Sequence, residues 1–514
     1  MWLRILVALT VVYATKKIIA FWQVARGVDN LPGYRGLFTA YSFLNYLGVP
    51  KIAGVVQGSN YLFNDKHTPF ASAGCDVVAH VSAYPCRADI LLADAAVIKE
   101  VTSSRARFPK PVENYAALSF FGFNIVASEG EIWKKYRKIT APAFSDRNNK
   151  LVWDETIGIM NDLFNNVWGS KEVITVDHCR DVTLPIALFV IGIAGFGREM
   201  TWREDSSIPP GHQMTFKDSL SIVSTHLLQR ILVADWVMNL TAKTREIKLG
   251  FEELKLYMLE MIEQRMNSEK VERHDLFSSL LEANNDEGGA LSSEELIGNI
   301  FIFLLAGHET TAHTLCFCFA LLALYPDEQE KLYQHIKSVL PDLRTPTYEE
   351  MPLLTQSIAV FYETLRMYPP APNVPKRAAE DTTLSTTNAQ GETVTIPLPK
   401  GTNLMISLPG LHYNPKYWED PHMFKPDRFT KPGWDRDAFL PFSGGARACL
   451  GRKFFETEGI AALTMLVSRY KITIKEEPQF AHETLEQKME RVMRNKPSLT
   501  LTPIRCPLVF TRRS

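Results

Sequence analysis

Apolar residues run almost unbroken from Ile5 to Ala14, break at Lys16-Lys17, and resume from Ile18 to Trp22. The stretch Trp2–Trp22 is about the length that crosses a bilayer, with a tryptophan at each end where interfacial side chains sit. The alternative is a cleaved signal peptide with Arg4 as its basic start. Lys16, Lys17 and Arg26 favour a cytosolic body beyond an anchor. Leu31-Pro32-Gly33 then reads as a turn, and Phe38–Val56, interrupted by Asn45, Pro50 and Lys51, as a buried or interfacial helix.

Alternation around His80–Cys86 predicts strands, and helical periodicity dominates residues 128–370. Strand-like runs return at Thr393–Ile396, Asn403–Leu408, Tyr470–Ile474 and Leu499–Thr502. The segments Ser206–Gly211, Asn284–Gly289 and Thr382–Glu392 read as surface loops. The profile predicts a mainly α protein with small β-sheets (α+β): an anchor over residues 1–25 and one large helical domain over 26–514.

Composition narrows the class. The chain has 514 residues, 46% apolar and 22% charged, which is ordinary for a globular protein. Fifty-six basic residues against 57 acidic ones leave a net charge of −1, so no nucleic acid partner is expected. The seven cysteines are odd in number and contain no CxxC pair, which argues against a disulfide framework or zinc ribbon and for a reducing compartment.

Four stretches carry candidate chemistry. In Phe442-Ser443-Gly444-Gly445-Ala446-Arg447-Ala448-Cys449-Leu450-Gly451, small residues allow close approach to a flat, bulky group. Helical pattern restarts at Leu450, which puts Cys449 at a helix N-terminus, beside Arg447, where a thiolate is stabilised. The other reading is a buried structural cysteine. Second, Ser292 and Glu295 form a capping box opening a helix apolar on all sides up to Pro326. Ala306-Gly307-His308-Glu309-Thr310-Thr311 lies in its middle. His308 and His313 are assigned no role. Third, Glu363 and Arg366 share a helix face at i, i+3. Fourth, Trp133 and Arg137 share a face at i, i+4 of a helix capped by Ser128 and Glu131, flanked by Lys134, Lys135 and Lys138.

Taken together these motifs resemble those of the cytochrome P450 family. FSGGARACLG matches its FxxGxRxCxG haem loop, AGHETT its central-helix motif, and ETLR its ExxR. FKPDRF, ending on Arg428, matches its F-x-P-x-R-F. The resemblance implies haem b ligated by the Cys449 thiolate. Arg447, Trp133, Arg137 and Arg377 would meet the haem propionates. Gly307 would leave room above the haem, Thr310 would bind the oxygen ligand or a water, and Glu309 would relay protons. Glu363, Arg366 and Arg428 would form a structural triad. The implied reaction is monooxygenation of an apolar small molecule, terpenoid-like or another secondary metabolite as in fungal members. Its electrons would come from NADPH through a separate NADPH–cytochrome P450 reductase, since the chain holds no GxGxxG unit of its own. The basic face near Lys134 and Arg452 would receive that donor. Phe120, Phe121, Phe123, Phe303 and Val374 would line the substrate pocket. The implied location is the endoplasmic reticulum membrane, with membrane lipid around the anchor and the body cytosolic. That topology would leave the sequon Asn239-Leu240-Thr241 unused. Two rivals stay open: a peroxide-rearranging isomerase or dehydratase that needs no reductase, and a non-catalytic haem or sterol binder.

Overall fold

The computed structural model describes residues 1–39, 42, 44, 49–198, 200–202, 208–267, 275–286 and 291–513. They cluster into two units, each built from three separated segments.

The first unit comprises Met1–Pro111, Leu365–Phe424 and Pro432–Cys449. Its frame is a five-stranded mixed sheet in the order Arg35–Phe38, Val77–Tyr84, Cys86–Leu92, Asn403–Ser407, Asn373–Arg377. Val77–Tyr84 and Cys86–Leu92 form an antiparallel hairpin, Val81 opposite Ala88, and both are buried on both faces along most of their length. Tyr61, Leu62, Phe70, Val78, Leu91, Ala93 and Met405 pack into one cluster beside this sheet.

The N-terminal helix Trp2–Gly27 seats only its last turns on that sheet: Ala25 is buried, and Lys17 Nζ stands 5.2 Å over the Tyr84 ring. None of its most apolar 18-residue window is buried. At 1.5 Å per residue the helix is about 39 Å long, enough to cross a membrane. Phe38 ends a strand, and Ile52 pairs with Val56 across a tight turn, so these ends of the expected helix are not helical. Residues 40, 41, 43 and 45–48, within it, lie outside the described residues.

The expected loop at Thr382–Glu392 is instead half of a hairpin, Thr382–Thr387 paired with Thr393–Leu398. Leu384 and Thr386 alternate inward along it, and Thr386 Oγ1 donates to Asp94 Oδ2 at 3.1 Å. A run of threonines is polar enough to read as loop, yet its β-branching suits a strand.

The second unit comprises Val112–Thr364, Lys425–Lys431 and Leu450–Ser514. Its axis is the 32-residue helix Ser293–Leu324, opened by the expected Ser292–Glu295 capping box. Arg180–Val190 and Arg452–Arg469 pack against it. A three-stranded antiparallel sheet joins Val173–Val176, Leu508–Arg512 and Tyr470–Ile474, and Asn495–Pro497 pairs with Leu501–Pro503.

The helix Gly130–Thr140 is not capped by Ser128 and Glu131; Glu129 is its N-cap, and its side chain accepts from Gly130 N at 3.2 Å. Gly130 takes a φ of 63°, which moves the start one residue on. Asn284–Asp286, read as the start of a loop, form the last turn of the helix Leu276–Asp286, and Asn284 Oδ1 accepts from Leu291 N at 2.8 Å; residues 287–289 and 206–207 of the expected loops lie outside the described residues.

Candidate active site

In the first unit the cysteine loop is locked by its backbone. Cys449 N donates to Phe442 O at 2.8 Å and Ala448 N to Gly445 O at 3.1 Å. Gly445 has a φ of 63°, and a Cβ there would lie 2.2 Å from Thr102 O; at Gly444 it would lie 3.1 Å from Thr102 Oγ1. The glycines are therefore required by the close approach of the helix Ala95–Ser103, a constraint the sequence could not reveal. Cys449 lies two residues ahead of Gly451, the N-cap of the helix Arg452–Arg469, and not at the helix N-terminus itself. Among the seven cysteines it is the one whose side chain is exposed; five are buried and Cys86 is intermediate.

His412 fixes the approach to this loop. Its Nε2 accepts from Leu440 N at 3.0 Å, and its Nδ1 donates to Arg366 O at 3.0 Å, so the ring is neutral with the proton on Nδ1. Burial first, and the Arg366 charge second, push it down to about 3, which keeps it neutral. The positioning role of His412 has no local sequence signal, because its partners lie 28 and 46 residues away.

Arg366 is fully buried and donates to three carbonyls: His412 O at 2.7 Å, Pro421 O at 2.9 Å and Met423 O at 3.3 Å. Tyr413 and Trp418 rings lie 5.5 Å from its guanidinium. It thus gathers the segment before the cysteine loop. Arg377, half-buried at the end of its strand, is held through Nε by Asn403 Oδ1 at 3.1 Å, and Asn403 in turn donates to Asp89 at 2.9 Å. Arg447 ends a single helical turn, Gly445–Arg447, and is half-buried.

In the second unit the central helix is buried on nearly every side. From Leu296 to Leu322 the residues left partly open are Phe303, Ala306, Gly307 and Thr310. Their i, i+3, i+4, i+7 spacing makes one narrow stripe along a single face. The stripe is apolar apart from one hydroxyl, Thr310 Oγ1, which donates back to Ala306 O at 2.7 Å. Gly307 is also constrained by packing: a Cβ there would meet Ile191 Cδ1 at 2.9 Å.

Glu309 is buried off the stripe. Burial raises its carboxyl above the usual range, partly offset by a bond to Ser224 and the Arg180 charge; Oε2 has no partner among the described residues. His308 and His313 are core histidines, pushed by burial down to about 4 and about 3; their Nδ1 atoms lie 2.8 Å from Leu304 O and 2.7 Å from Thr500 Oγ1.

Glu363, fully buried, accepts from Lys425 N at 2.9 Å and Arg428 Nε at 3.1 Å. Trp133 is buried and Arg137 half-buried one turn on. The neighbouring lysines are not a uniform basic face. Lys134 is 2.6 Å from Glu131, while Lys135, 2.9 Å from Glu295 Oε2, joins Tyr136 OH in binding the carboxylate that caps the central helix. Arg452 is likewise 2.9 Å from Glu456. Of the expected pocket aromatics, Phe121 packs into the core against Phe251 and Phe301, whereas Phe123 is exposed.

An open thiol on a backbone-locked loop, and an apolar helix stripe with one hydroxyl, are a donor set and a surface that fit a haem-thiolate enzyme. The cytochrome P450 family profile matches residues 87–502, and the chain belongs to that family. It is 53% identical over 517 residues to cytochrome P450 monooxygenase 124 of Postia placenta, covering 99% of each chain. It is 31% identical over 430 residues to cytochrome P450 monooxygenase prx9 of Penicillium rubens, covering 75% of this chain and 74% of that one. The crystal structure of the cytochrome P450DA heme domain has the same fold, with a TM-score of 0.75 at 23% identity, over 94% of this chain and 98% of that one. The protein is a monooxygenase of the haem-thiolate class.

Proposed function

We propose that this enzyme inserts one atom of O2 into an apolar small molecule of the terpenoid or secondary-metabolite type, using electrons from NADPH delivered by a separate reductase. Residues 26–514 act as one catalytic domain, carried on the endoplasmic reticulum membrane by the anchor over residues 1–25, with the body cytosolic. The observation that carries the reading is Cys449, an exposed thiol on a loop whose backbone is locked. Its thiolate ligates the iron, and the haem, when bound, supplies oxygen activation.

The remaining roles fall to side chains of the chain itself. Arg447, Arg377, Trp133 and Arg137 hold the propionates; Asn403 Oδ1, accepting from Arg377 Nε, steadies that guanidinium. The Phe303–Thr310 stripe offers an apolar wall, and the Thr310 hydroxyl holds a water or oxygen where a proton is needed. Glu309, whose carboxyl burial raises above the usual range, relays the proton. Glu363 with Arg428, and Arg366 with its carbonyls, hold the frame and touch no substrate.

The reduced carbon monoxide spectrum tests this directly. The wild-type band should be that of thiolate ligation, and Cys449→Ala should abolish it; an unchanged band removes Cys449 from the iron. Product analysis in membranes with reductase, NADPH and a terpenoid panel tests the substrate class. Turnover without NADPH would instead favour an isomerase.

A further inference from the structure

One buried acid has no place in the roles above. Glu458, on the helix Arg452–Arg469, is wholly inaccessible. Its Oε2 accepts from Thr311 Oγ1 at 3.1 Å, and its Oε1 has no partner among the described residues. Thr457 Oγ1, beside it, and Thr314 Oγ1, one turn beyond Thr311, are likewise buried without partners among the described residues. An ionised carboxylate with one oxygen unsolvated in the core would be costly, whereas a carboxylic acid is tolerated. Burial holds the group well above the usual carboxylate range, with the Thr311 bond pulling the other way.

Thr311 adjoins Thr310. Both hydroxyls bond back one turn, Thr310 to Ala306 O at 2.7 Å and Thr311 to Gly307 O at 3.2 Å. Such bonds compete with the helix's own hydrogen bonds and bend the turn. The single Thr311 hydrogen is shared between Gly307 O and Glu458, so Glu458 limits how far that turn opens. Ile191, against Gly307, blocks movement on that side. We propose that Glu458 is a positioning residue for monooxygenation: a neutral carboxylic acid that clamps, through Thr311, the turn of the central helix carrying Thr310. This rests on the role assigned to Thr310.

The test uses the full-length, haem-loaded enzyme. Infrared difference spectra at neutral pH should contain the carbonyl stretch of a neutral carboxylic acid that Glu458→Gln removes and Thr311→Val shifts. Peroxide released per NADPH, measured with reductase, should rise about fivefold in Glu458→Leu and Thr311→Val, the effect of one hydrogen bond. In Glu458→Gln, whose amide keeps a partner for Thr311, it should stay within about twofold of wild type. If Glu458→Leu fails to fold, Thr311→Val removes the same bond from the other side. The absence of a band that Glu458→Gln removes would overturn the neutral acid. Equal uncoupling by Gln and Leu would overturn positioning in favour of proton donation, and normal coupling in Thr311→Val would overturn the clamp. Should Thr310→Ala prove fully coupled, the Thr310 role fails alone, because the infrared signature does not depend on it.

Discussion

Removing Arg428 should cost this protein more than removing any exposed charge near it. Glu363 is 0% exposed and Arg428 11%, with Nε 3.1 Å from the carboxylate. In Arg428→Ala the carboxylate keeps the Lys425 N–H at 2.9 Å and loses the Arg428 charge. Breaking a buried pair from one side costs roughly 3–5 kcal/mol, because the remaining charge stays desolvated. At roughly 2–4 °C per kcal/mol for a large domain, melting should fall by about 6–20 °C. The adjacent pair Lys331–Asp427 is an internal control: at 2.6 Å it is closer, but its side chains are 47% and 40% exposed. Lys331→Ala should cost at most about 1 kcal/mol. The assay is thermal loss of the thiolate spectrum, with haem content measured beforehand. Glu363→Leu combined with Arg428→Met should recover part of the loss, since neither charge of this pair remains buried. Equal losses in Arg428→Ala and Lys331→Ala would refute the argument that burial, not distance, sets the value of the pair.

Three further outcomes are expected. Gly445→Ala places a methyl 2.2 Å from Thr102 O at a φ of 63°, so it should lose about 2 kcal/mol or more together with haem retention; wild-type haem content and melting would contradict the packing argument. Glu309→Gln should gain stability relative to wild type as pH rises. The raised carboxyl contributes fully below the usual carboxylate range and loses that contribution as pH climbs through its folded value, whereas glutamine does not titrate; a melting difference flat with pH would count against it. Lys134→Glu with Lys138→Glu should slow reduction by the reductase at low salt, and Lys134→Glu alone should do less, because Glu131 already sits 2.6 Å from Lys134; wild-type reduction rates in the double variant would make this a solvated face.

Much of the chemistry was legible along the chain because its constraints are local. The cap at Ser292–Glu295, the unbroken apolar run of the central helix, and the fixed spacing around Cys449 are contained within short segments. The N-terminal helix, long and apolar enough to cross a membrane, needs no partner to be noticed either, since bilayer thickness alone sets the length to look for. Burial of the helix Ser293–Leu324 also followed, because placing its acid and histidines in lipid would be expensive.

Contacts between distant segments were decided only by the tertiary structure. That Gly445 answers to Thr102 and Gly307 to Ile191 depends on which backbone passes close by, and a glycine reads the same in either case. Phe121 reads as a pocket wall until Phe251 and Phe301 close over it. The lysines beside Trp133 read as a solvated stripe until Glu295, 160 residues on from Lys135, takes one of them. Glu458 carries no signal in a helix that also holds Arg452, Lys453 and Glu456; its importance comes from desolvation, a property of the surroundings that a single residue does not encode.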